Sequence, residues 1–198
     1  MRIAVIGASS GTGRQVAEQA LGRGHKVTAV SRSGCQVPGV VNVCGDATDP
    51  WLLGVALNGC DAVVVTVGGD SGDDRNRTKV TGAVIDAIEN RDVRLVVQSS
   101  IGVGDSIGLM STPERLFART VLRGALADHT DQEDLVRRSG LRYTIVRPGG
   151  LFDGPATGHV NTGGPGFVSR IARADVAAFI LDAIDDEASV GREVNVGS

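Results

Sequence analysis

The sequence is poor in aromatic residues and carries no large excess of charge of either sign. Phe, Trp and Tyr together make up 3% of the 198 residues, which argues against the stacking platforms that bind single-stranded nucleic acids. The formal net charge is −3, so no bulk attraction to nucleic acid or to an anionic membrane is expected. We therefore expect neither a nucleic acid nor a membrane among its partners.

Cysteine and histidine are also scarce, with three of each. The odd number of cysteines and the absence of a CxxC pair argue against a disulfide framework and against a cysteine-rich zinc site. The histidines show no metal-ligand spacing, so no metal site is expected. The sequence begins without a signal-peptide pattern and has no apolar run near the roughly 20 residues that cross a bilayer, which together predict a cytoplasmic protein.

Short apolar strand patterns alternate with amphipathic helix patterns along the chain. Most of the strands are near-continuous runs of Val, Ile and Leu, which is typical of a parallel sheet covered on both faces. The predicted strands are Arg2–Ile6, Lys26–Val30, Val40–Cys44, Asp61–Val67, Arg94–Gln98, Arg142–Arg147 and Glu193–Val196. The predicted helices are Thr12–Gly22, Pro50–Leu57, Thr78–Glu89, Glu114–Leu126, Asp131–Arg138 and Arg173–Ile184. The pattern predicts a single α/β domain over residues 1–198 with a doubly wound Rossmann-type parallel sheet.

Two glycine-rich loops, at about residues 101–113 and 151–169, are predicted to form the acceptor side of a ligand site. A charged loop that contains Asp70, Asp73 and Asp74 is interpreted as solvated rather than as a metal site. The acidic residues at 128, 131, 133 and 134 are interpreted as the start of a helix, where carboxylates favour the helix dipole.

The segment GASSGTG at residues 7–13 follows the first strand directly and precedes a helix. In this context glycines permit a tight turn and a close approach of the backbone to a pyrophosphate, while the free N–H groups of the helix point at the anion. Hydroxyl groups in the same turn can donate further hydrogen bonds. The predicted phosphate-binding residues are Gly7, Ser9, Ser10, Gly11, Thr12 and Gly13.

The end of the second strand predicts which dinucleotide is bound. An NAD site usually has an Asp or Glu there to bond the ribose 2′-hydroxyl. Here the sequence reads Ser31-Arg32, with no acid. A guanidinium suits a 2′-phosphate, so Arg32 favours NADP(H) over NAD(H).

Two further strand ends contribute candidate cofactor contacts. Asp46 could accept a hydrogen bond from the adenine amino group, with the Ala47 backbone as a donor, although Asp46 could equally serve only the entry into the next helix. Val67 and Gly68 follow the fourth strand, and their small size would let a ribose lie close to the sheet.

Two motifs carry a family resemblance. Gly7-x-x-x-Gly11-x-Gly13 and the segment SGLRYTIVRPGGL at 139–151 resemble atypical members of the short-chain dehydrogenase/reductase superfamily. These are NAD(P)H-binding proteins of the flavin reductase/biliverdin-IXβ reductase and NmrA-like types. The resemblance implies cofactor contacts at Ser99, Pro148, Gly149, Gly150 and Leu151 near the nicotinamide, and catalytic roles for Ser100 and His129. Within it, Ser100 would hydrogen-bond the acceptor, and His129 would anchor the nicotinamide ribose or relay a proton. The alternatives are a strand-end cap for Ser100 and a solvent-exposed helix start for His129.

One departure from the superfamily pattern bears on the chemistry. The Tyr-x-x-x-Lys pair is absent, and the single tyrosine, Tyr143, lies inside a predicted strand. Ketone reduction needs a proton donor of matched pKa, whereas a conjugated acceptor spreads the incoming charge and mainly needs orientation. The resemblance and this departure predict an NADPH-dependent reductase of a flavin-, quinone- or tetrapyrrole-like acceptor. An NmrA-like NADP(H)-sensing protein and a sugar or ketone epimerase-reductase remain alternatives, and a monomer or a weak homodimer is expected.

Overall fold

The computed structural model describes residues 1–69, 75–163 and 170–198, and most of its strands form one sheet. The strands are β1 (Arg2–Ile6), β2 (Lys26–Ser31), β3 (Val41–Cys44), β4 (Ala62–Val65), β5 (Arg94–Gln98), β6 (Arg142–Pro148), β7 (Gly150–Phe152), β8 (Arg170–Ala172) and β9 (Arg192–Val196). Seven of them pair in the order β3-β2-β1-β4-β5-β6-β9, and every pair in this sheet is parallel. The doubly wound topology reverses between β1 and β4, which confirms the Rossmann-type prediction.

Helices cover both faces of the sheet, because the strands are apolar on both sides. The helices are α1 (Gly11–Gly22), α2 (Pro50–Ala56), α3 (Asn76–Ile88), α4 (Thr112–Thr120), α5 (Arg123–Arg138) and α6 (Arg173–Asp185). On one face α1 and α6 bury aliphatic side chains such as Val16 and Ile180 against the strands. On the other face α2, α3 and α5 do the same with Leu53, Val84 and Val136. The ends of the strands are thereby held rigidly at a common edge.

Local sequence signals account for several element boundaries. The Asp49 carboxylate accepts hydrogen bonds from the backbone N–H groups of Trp51 and Leu52 at 2.8 and 3.3 Å, and Pro50 is the first residue of α2. Both features belong to a helix start and were predicted. Ser111 and Glu114 form a capping box that begins α4 earlier than expected.

The prediction for residues 121–138 was wrong in two respects. The helix predicted to continue to Leu126 is interrupted, because α4 ends at Thr120 and α5 begins at Arg123. The structure has one continuous helix, α5, where a break before Asp131 was expected. The acidic residues suggested a helix start, yet Asp128 and Glu133 are buried inside α5, and their carboxylates serve other elements. These carboxylates resembled the acidic residues of a helix start in the sequence, but they bind to residues of other elements.

The glycine-rich segments contain more regular structure than the sequence predicts. A 3₁₀ helix, Gly104–Leu109, lies within the first predicted loop. In the second, β7 pairs in parallel with β8 as a small separate sheet. Residues 164–169 at the end of that loop, and the predicted solvated acids Asp70, Asp73 and Asp74, lie outside the described residues. In the ranges that the structure covers, no helix has both the length and the apolar character needed to span a bilayer.

Candidate functional site

A cavity of about 710 Å³ opens along the carboxyl ends of the parallel strands, where α/β sheets of this topology bind ligands. Most of the residues predicted to bind cofactor or acceptor line it. They are Gly7, Ser9, Ser10, Gly11, Thr12, Arg32, Asp46, Ala47, Val67, Gly68, Ser99, Ser100, His129, Pro148, Gly149 and Leu151. Residues far apart in sequence thus share one wall because their strands end at the same edge.

The turn between β1 and α1 has the form that an anion requires. Gly11 has a φ of +55°, and a side chain added there would meet only the Arg173 side chain, at 3.5 Å from its Nε. Ser10, the residue before the helix, makes no side-chain capping bond, and the first turn of α1 contains no acid. The N–H groups at this helix end are therefore uncapped by side chains and favour a negative group such as a pyrophosphate.

Two of the predicted cofactor residues do not line the cavity. A Cβ at Gly13 would lie 2.3 Å from the carbonyl oxygen of Gly7 and 2.5 Å from Thr66 Oγ1. Gly13 is therefore required for the packing of α1 against the strand ends. Gly150 begins β7, is exposed and pairs with Arg170 instead of facing the cavity. Its neighbours Gly149 and Leu151 both line the cavity, so the alternation of a strand turns Gly150 away from it.

Within the ranges 1–69, 75–163 and 170–198, three buried polar atoms on residues of the cavity wall lack a hydrogen-bond partner. They are Thr12 Oγ1, Ser31 Oγ and Gln98 Oε1. Buried polar groups are normally satisfied, so three unpartnered ones on residues that line the same cavity are consistent with a polar ligand there. Together with the uncapped helix end, they fit a dinucleotide. Of the three, only Thr12 was predicted to bind the cofactor, since a lone Ser or Gln at a strand end carries no distinctive signal.

Arg32 and Asp46 line the part of the cavity at the carboxyl ends of β2 and β3. The backbone N–H and the hydroxyl of Thr48 both donate to Asp46 Oδ1 at 2.9 Å. These hydrogen bonds, with a smaller effect of the Arg32 charge, lower the pKa of Asp46. The carboxylate therefore shapes the entry to α2, as the alternative interpretation held, and its contact with adenine stays a prediction.

Three basic residues that the sequence analysis missed also line the cavity: Arg77, Lys79 and Arg173. The Asp128 carboxylate accepts from the backbone N–H and from Nη1 of Arg77, at 3.1 and 3.2 Å. Arg173 donates to Asp153 at 3.0 Å. They lie on α3 and α6, far from the glycine turn in sequence, so only the tertiary structure brings them to it.

The two serines after β5 already have protein partners. Ser99 Oγ donates to Glu133 Oε1 at 2.6 Å, and Ser100 Oγ donates to the carbonyl oxygen of Ile101 at 3.0 Å. Ser100 thus makes the local backbone contact that was its alternative role, while it also faces the cavity. Its hydroxyl oxygen can still accept a hydrogen bond.

Behind these serines lies a buried ion pair that the sequence analysis did not identify. Arg147 donates through Nε and Nη2 to the two carboxylate oxygens of Glu133 at 2.9 and 2.7 Å. Glu133 also accepts from Ser99, so one carboxylate joins the ends of β5 and β6 to α5. The pair fixes the backbone that leads into Pro148 and Gly149.

His129 lies within α5 and is 7% exposed, which excludes the alternative of a solvent-exposed helix start. Its Nδ1 is 3.1 Å from Gln132 Oε1. Burial, and after it the positive charge of Arg77, lower the pKa of His129 from 6.5 to about 4. The imidazole is therefore neutral at physiological pH.

Tyr143 does not line the cavity. It lies in β6, pairs with Leu95 and packs against the apolar cluster beneath α3. Among the described residues that line the cavity, none is a tyrosine.

The sequence from residue 7 to residue 187 matches the family model described as NAD(P)H-binding. The chloroplastic protein At2g34460 of Arabidopsis thaliana is 33% identical over 91% of this chain and 71% of its own length. The protein YwnB of Bacillus subtilis (strain 168) is 28% identical over 93% of this chain and 92% of its own. Among solved structures, ChuY, an anaerobilin reductase from Escherichia coli O157:H7, is 28% identical, with a TM-score of 0.83 over 99% of this chain and 96% of that chain.

The region that matches the family model includes the features of the cavity that suit a nucleotide. The uncapped helix end, the open glycine turn and the orphaned polar atoms all fit a dinucleotide, and they lie within the matched region. We conclude that this chain belongs to the NAD(P)H-binding family and that its cofactor is a nicotinamide dinucleotide.

Proposed function

We propose that this chain is an NADPH-dependent reductase that delivers hydride to a conjugated acceptor, such as a flavin, a quinone or a linear tetrapyrrole. The observation that carries the proposal is the composition of the nicotinamide end of the cavity. It offers the hydroxyl of Ser100, the neutral ring of His129 and the backbone around Gly149, and no tyrosine among its described residues. Bound NADPH would supply the hydride.

This set of groups favours orientation over acid catalysis. Reduction of a ketone to an alcohol needs a proton donor for the developing alkoxide. The His129 ring is a poor donor, because with a pKa of about 4 it is almost never protonated near pH 7. A conjugated acceptor spreads the charge over its own ring system and can take its proton from solvent. The protein then contributes mainly by holding the two reactants in the correct geometry.

The buried pair of Glu133 and Arg147 supports such a positioning role. It joins the ends of β5 and β6 to α5, and both strands end at the nicotinamide side of the cavity. Residues locked by a second layer of hydrogen bonds hold a reactive geometry more precisely than residues on free loops.

Arg32 and Ser31 support NADPH as the form of the cofactor. Both line the cavity at the carboxyl end of β2, and the Ser31 hydroxyl is buried without a partner among the residues that the structure describes. A guanidinium beside a hydroxyl donor matches a phosphate better than it matches a ribose hydroxyl.

The similarity to ChuY supports a large conjugated acceptor. That protein is named as an anaerobilin reductase, and bilins are linear tetrapyrroles with extended conjugation. At 28% identity and nearly complete coverage, a related acceptor is the natural first candidate for this chain.

One observation favours a second candidate, a protein that senses NADP(H) without turnover. Both serine hydroxyls at the nicotinamide end donate to protein atoms, so neither is fully available to an acceptor. An epimerase or ketoreductase has less support, because the described cavity wall carries no tyrosine, and the pKa of His129 is too low for the ring to be protonated near pH 7.

The deciding experiment follows the absorbance of NADPH in the presence of FMN, a quinone or biliverdin, each tested with the wild-type protein. Turnover of at least one acceptor is expected, with NADPH preferred to NADH. Ser100→Ala is expected to lower turnover more than it weakens NADPH binding. Tight NADPH binding with no oxidation by any acceptor would instead identify the sensor.

A further inference from the structure

A short chain of hydrogen bonds connects His129 with the adjacent helix. His129 Nδ1 is 3.1 Å from Gln132 Oε1, and Gln132 Nε2 donates to Thr81 Oγ1 at 2.9 Å. Gln132 and Thr81 are fully buried, whereas His129 faces the cavity. The chain therefore runs from the core of the α3–α5 packing to the wall of the ligand site.

The direction of these bonds fixes the state of the imidazole. An amide nitrogen can only donate, and an amide oxygen can only accept. In the structure the nitrogen of Gln132 donates to Thr81 and its oxygen faces the ring, an arrangement in which His129 Nδ1 carries the hydrogen. A neutral imidazole carries only one, so Nε2 is left with a lone pair. Within the described part of the chain, no group hydrogen-bonds to Nε2.

The charged groups around the ring do not change this state. Arg77 approaches from α3, and Asp128 and Glu133 lie on α5 itself. Asp128 is engaged by Arg77 and by Thr78, and Glu133 by Arg147 and Ser99. Neither carboxylate hydrogen-bonds to the imidazole, and burial favours the neutral ring.

We infer that His129 is a hydrogen-bond acceptor for a ligand hydroxyl or N–H group, through Nε2, and that Gln132 is the positioning residue that imposes this polarity. The inference rests on the proposed function, because it specifies what the same site recognises. It also means that His129 does not protonate the reduced acceptor. Two sources could supply the donor: a ribose hydroxyl of the cofactor, or an N–H group of the acceptor.

The polarity can be measured in the ligand-free protein by ¹⁵N NMR of the histidine rings, with the His129 signals assigned from a His129→Phe variant. We expect a protonated Nδ1 and an unprotonated Nε2 at pH 7. Observation of a hydrogen on Nε2 would overturn the inference. This readout needs no ligand, so it stands or fails independently of the reductase activity.

Adding NADP⁺, and then biliverdin to the NADP⁺-saturated protein, distinguishes the two donors. A change in the Nε2 signal with NADP⁺ alone identifies the ribose, and a change only with biliverdin identifies the acceptor. His129→Phe is expected to weaken the ligand so identified about fivefold, the value of one hydrogen bond. If neither ligand perturbs Nε2 while NADP⁺ binds, the acceptor role is wrong. If NADP⁺ does not bind at all, the proposed function fails, whereas the polarity of the ring is unaffected.

Two variants of Gln132 test its role in positioning. Gln132→Met keeps the volume but removes both hydrogen bonds, so Nε2 is expected to become partly protonated. Gln132→Glu retains an oxygen that accepts from Nδ1 but places a buried negative charge beside the ring, which raises the pKa of His129, so a hydrogen on Nε2 is expected to appear at a higher pH than in the wild type. A purely structural role predicts that both variants lose stability without any change at Nε2, and an unchanged Nε2 signal in Gln132→Met would refute the positioning role.

Discussion

Arg147 and Glu133 form a two-bond ion pair that is almost completely withdrawn from water, directly behind the cavity wall formed by Ser99 and Pro148. The side chains are 4% and 0% exposed. A buried pair of this kind adds little net stability when it is intact, but loss of one partner leaves an uncompensated charge in the interior. The pair therefore serves mainly to hold the ends of β5 and β6 against α5, with Ser99 bound to the same carboxylate.

Glu133→Gln is expected to destabilise the protein by about 3 kcal/mol, because the Arg147 guanidinium loses its buried counter-charge and keeps only the exposed carboxylate of Asp105. Urea unfolding measures the change in the free energy of unfolding. Glu187→Gln is the matched control: Glu187 is 76% exposed and pairs with Arg142 on the surface, so a loss below about 1 kcal/mol is expected. Equal losses in the two variants would contradict the account.

Gly13→Ala is expected to destabilise the fold by about 1–3 kcal/mol, since the new methyl group would overlap the carbonyl of Gly7 and the Thr66 hydroxyl. Gly22 lies at the other end of the same helix and has no atom within 4 Å of a built Cβ. Gly22→Ala should therefore be neutral or stabilise by up to about 1 kcal/mol. Thermal unfolding of the two variants checks the prediction, and a stable Gly13→Ala protein would show that α1 can shift away from the sheet.

The sequence allowed the doubly wound parallel sheet and most of the residues that line the cavity to be predicted, because these depend on local patterns. Apolar runs define the strands, and the glycine turn after β1 identifies the phosphate-binding edge. Features made by distant residues were not predictable. Asp128 and Glu133 have the composition of a helix start, yet one is bonded to the backbone of Arg77 and the other to Arg147. Arg173 reaches the turn at Gly11 only because α6 packs beside α1.

The pKa of His129 predicts a dependence of stability on pH. The value is about 4 in the folded protein and 6.5 in the unfolded chain. Above pH 6.5 the ring is neutral in both states and contributes nothing. Between pH 6.5 and 4 the unfolded chain binds a proton that the folded protein excludes, so stability falls as the pH is lowered.

The expected loss from this one group is about 1 kcal/mol between pH 7 and pH 5.5. His129→Gln removes the titrating group and should flatten the curve of unfolding free energy against pH in this window. Urea unfolding at a series of pH values, on wild type and variant, measures the difference. Parallel curves for the two proteins would mean that the ring is already charged, or is solvated, in the folded state.

Arg32→Ala tests the choice of cofactor. Arg32 is at the end of β2, beside Asp46 and on the cavity wall, where the guanidinium would contact a 2′-phosphate. A hydrogen-bonded charge pair of this kind contributes about 1.5–3 kcal/mol, which corresponds to a loss of NADPH affinity of roughly 10- to 150-fold. NADH lacks the phosphate, so its affinity should change by less than about threefold, because only non-specific charge is lost. Calorimetry with both cofactors measures the ratio, and Arg138→Ala, an exposed arginine in the last turn of α5, serves as the control for net charge. If Arg32→Ala weakens NADPH and NADH by the same factor, the guanidinium does not recognise the phosphate, and the choice of NADPH loses its principal support.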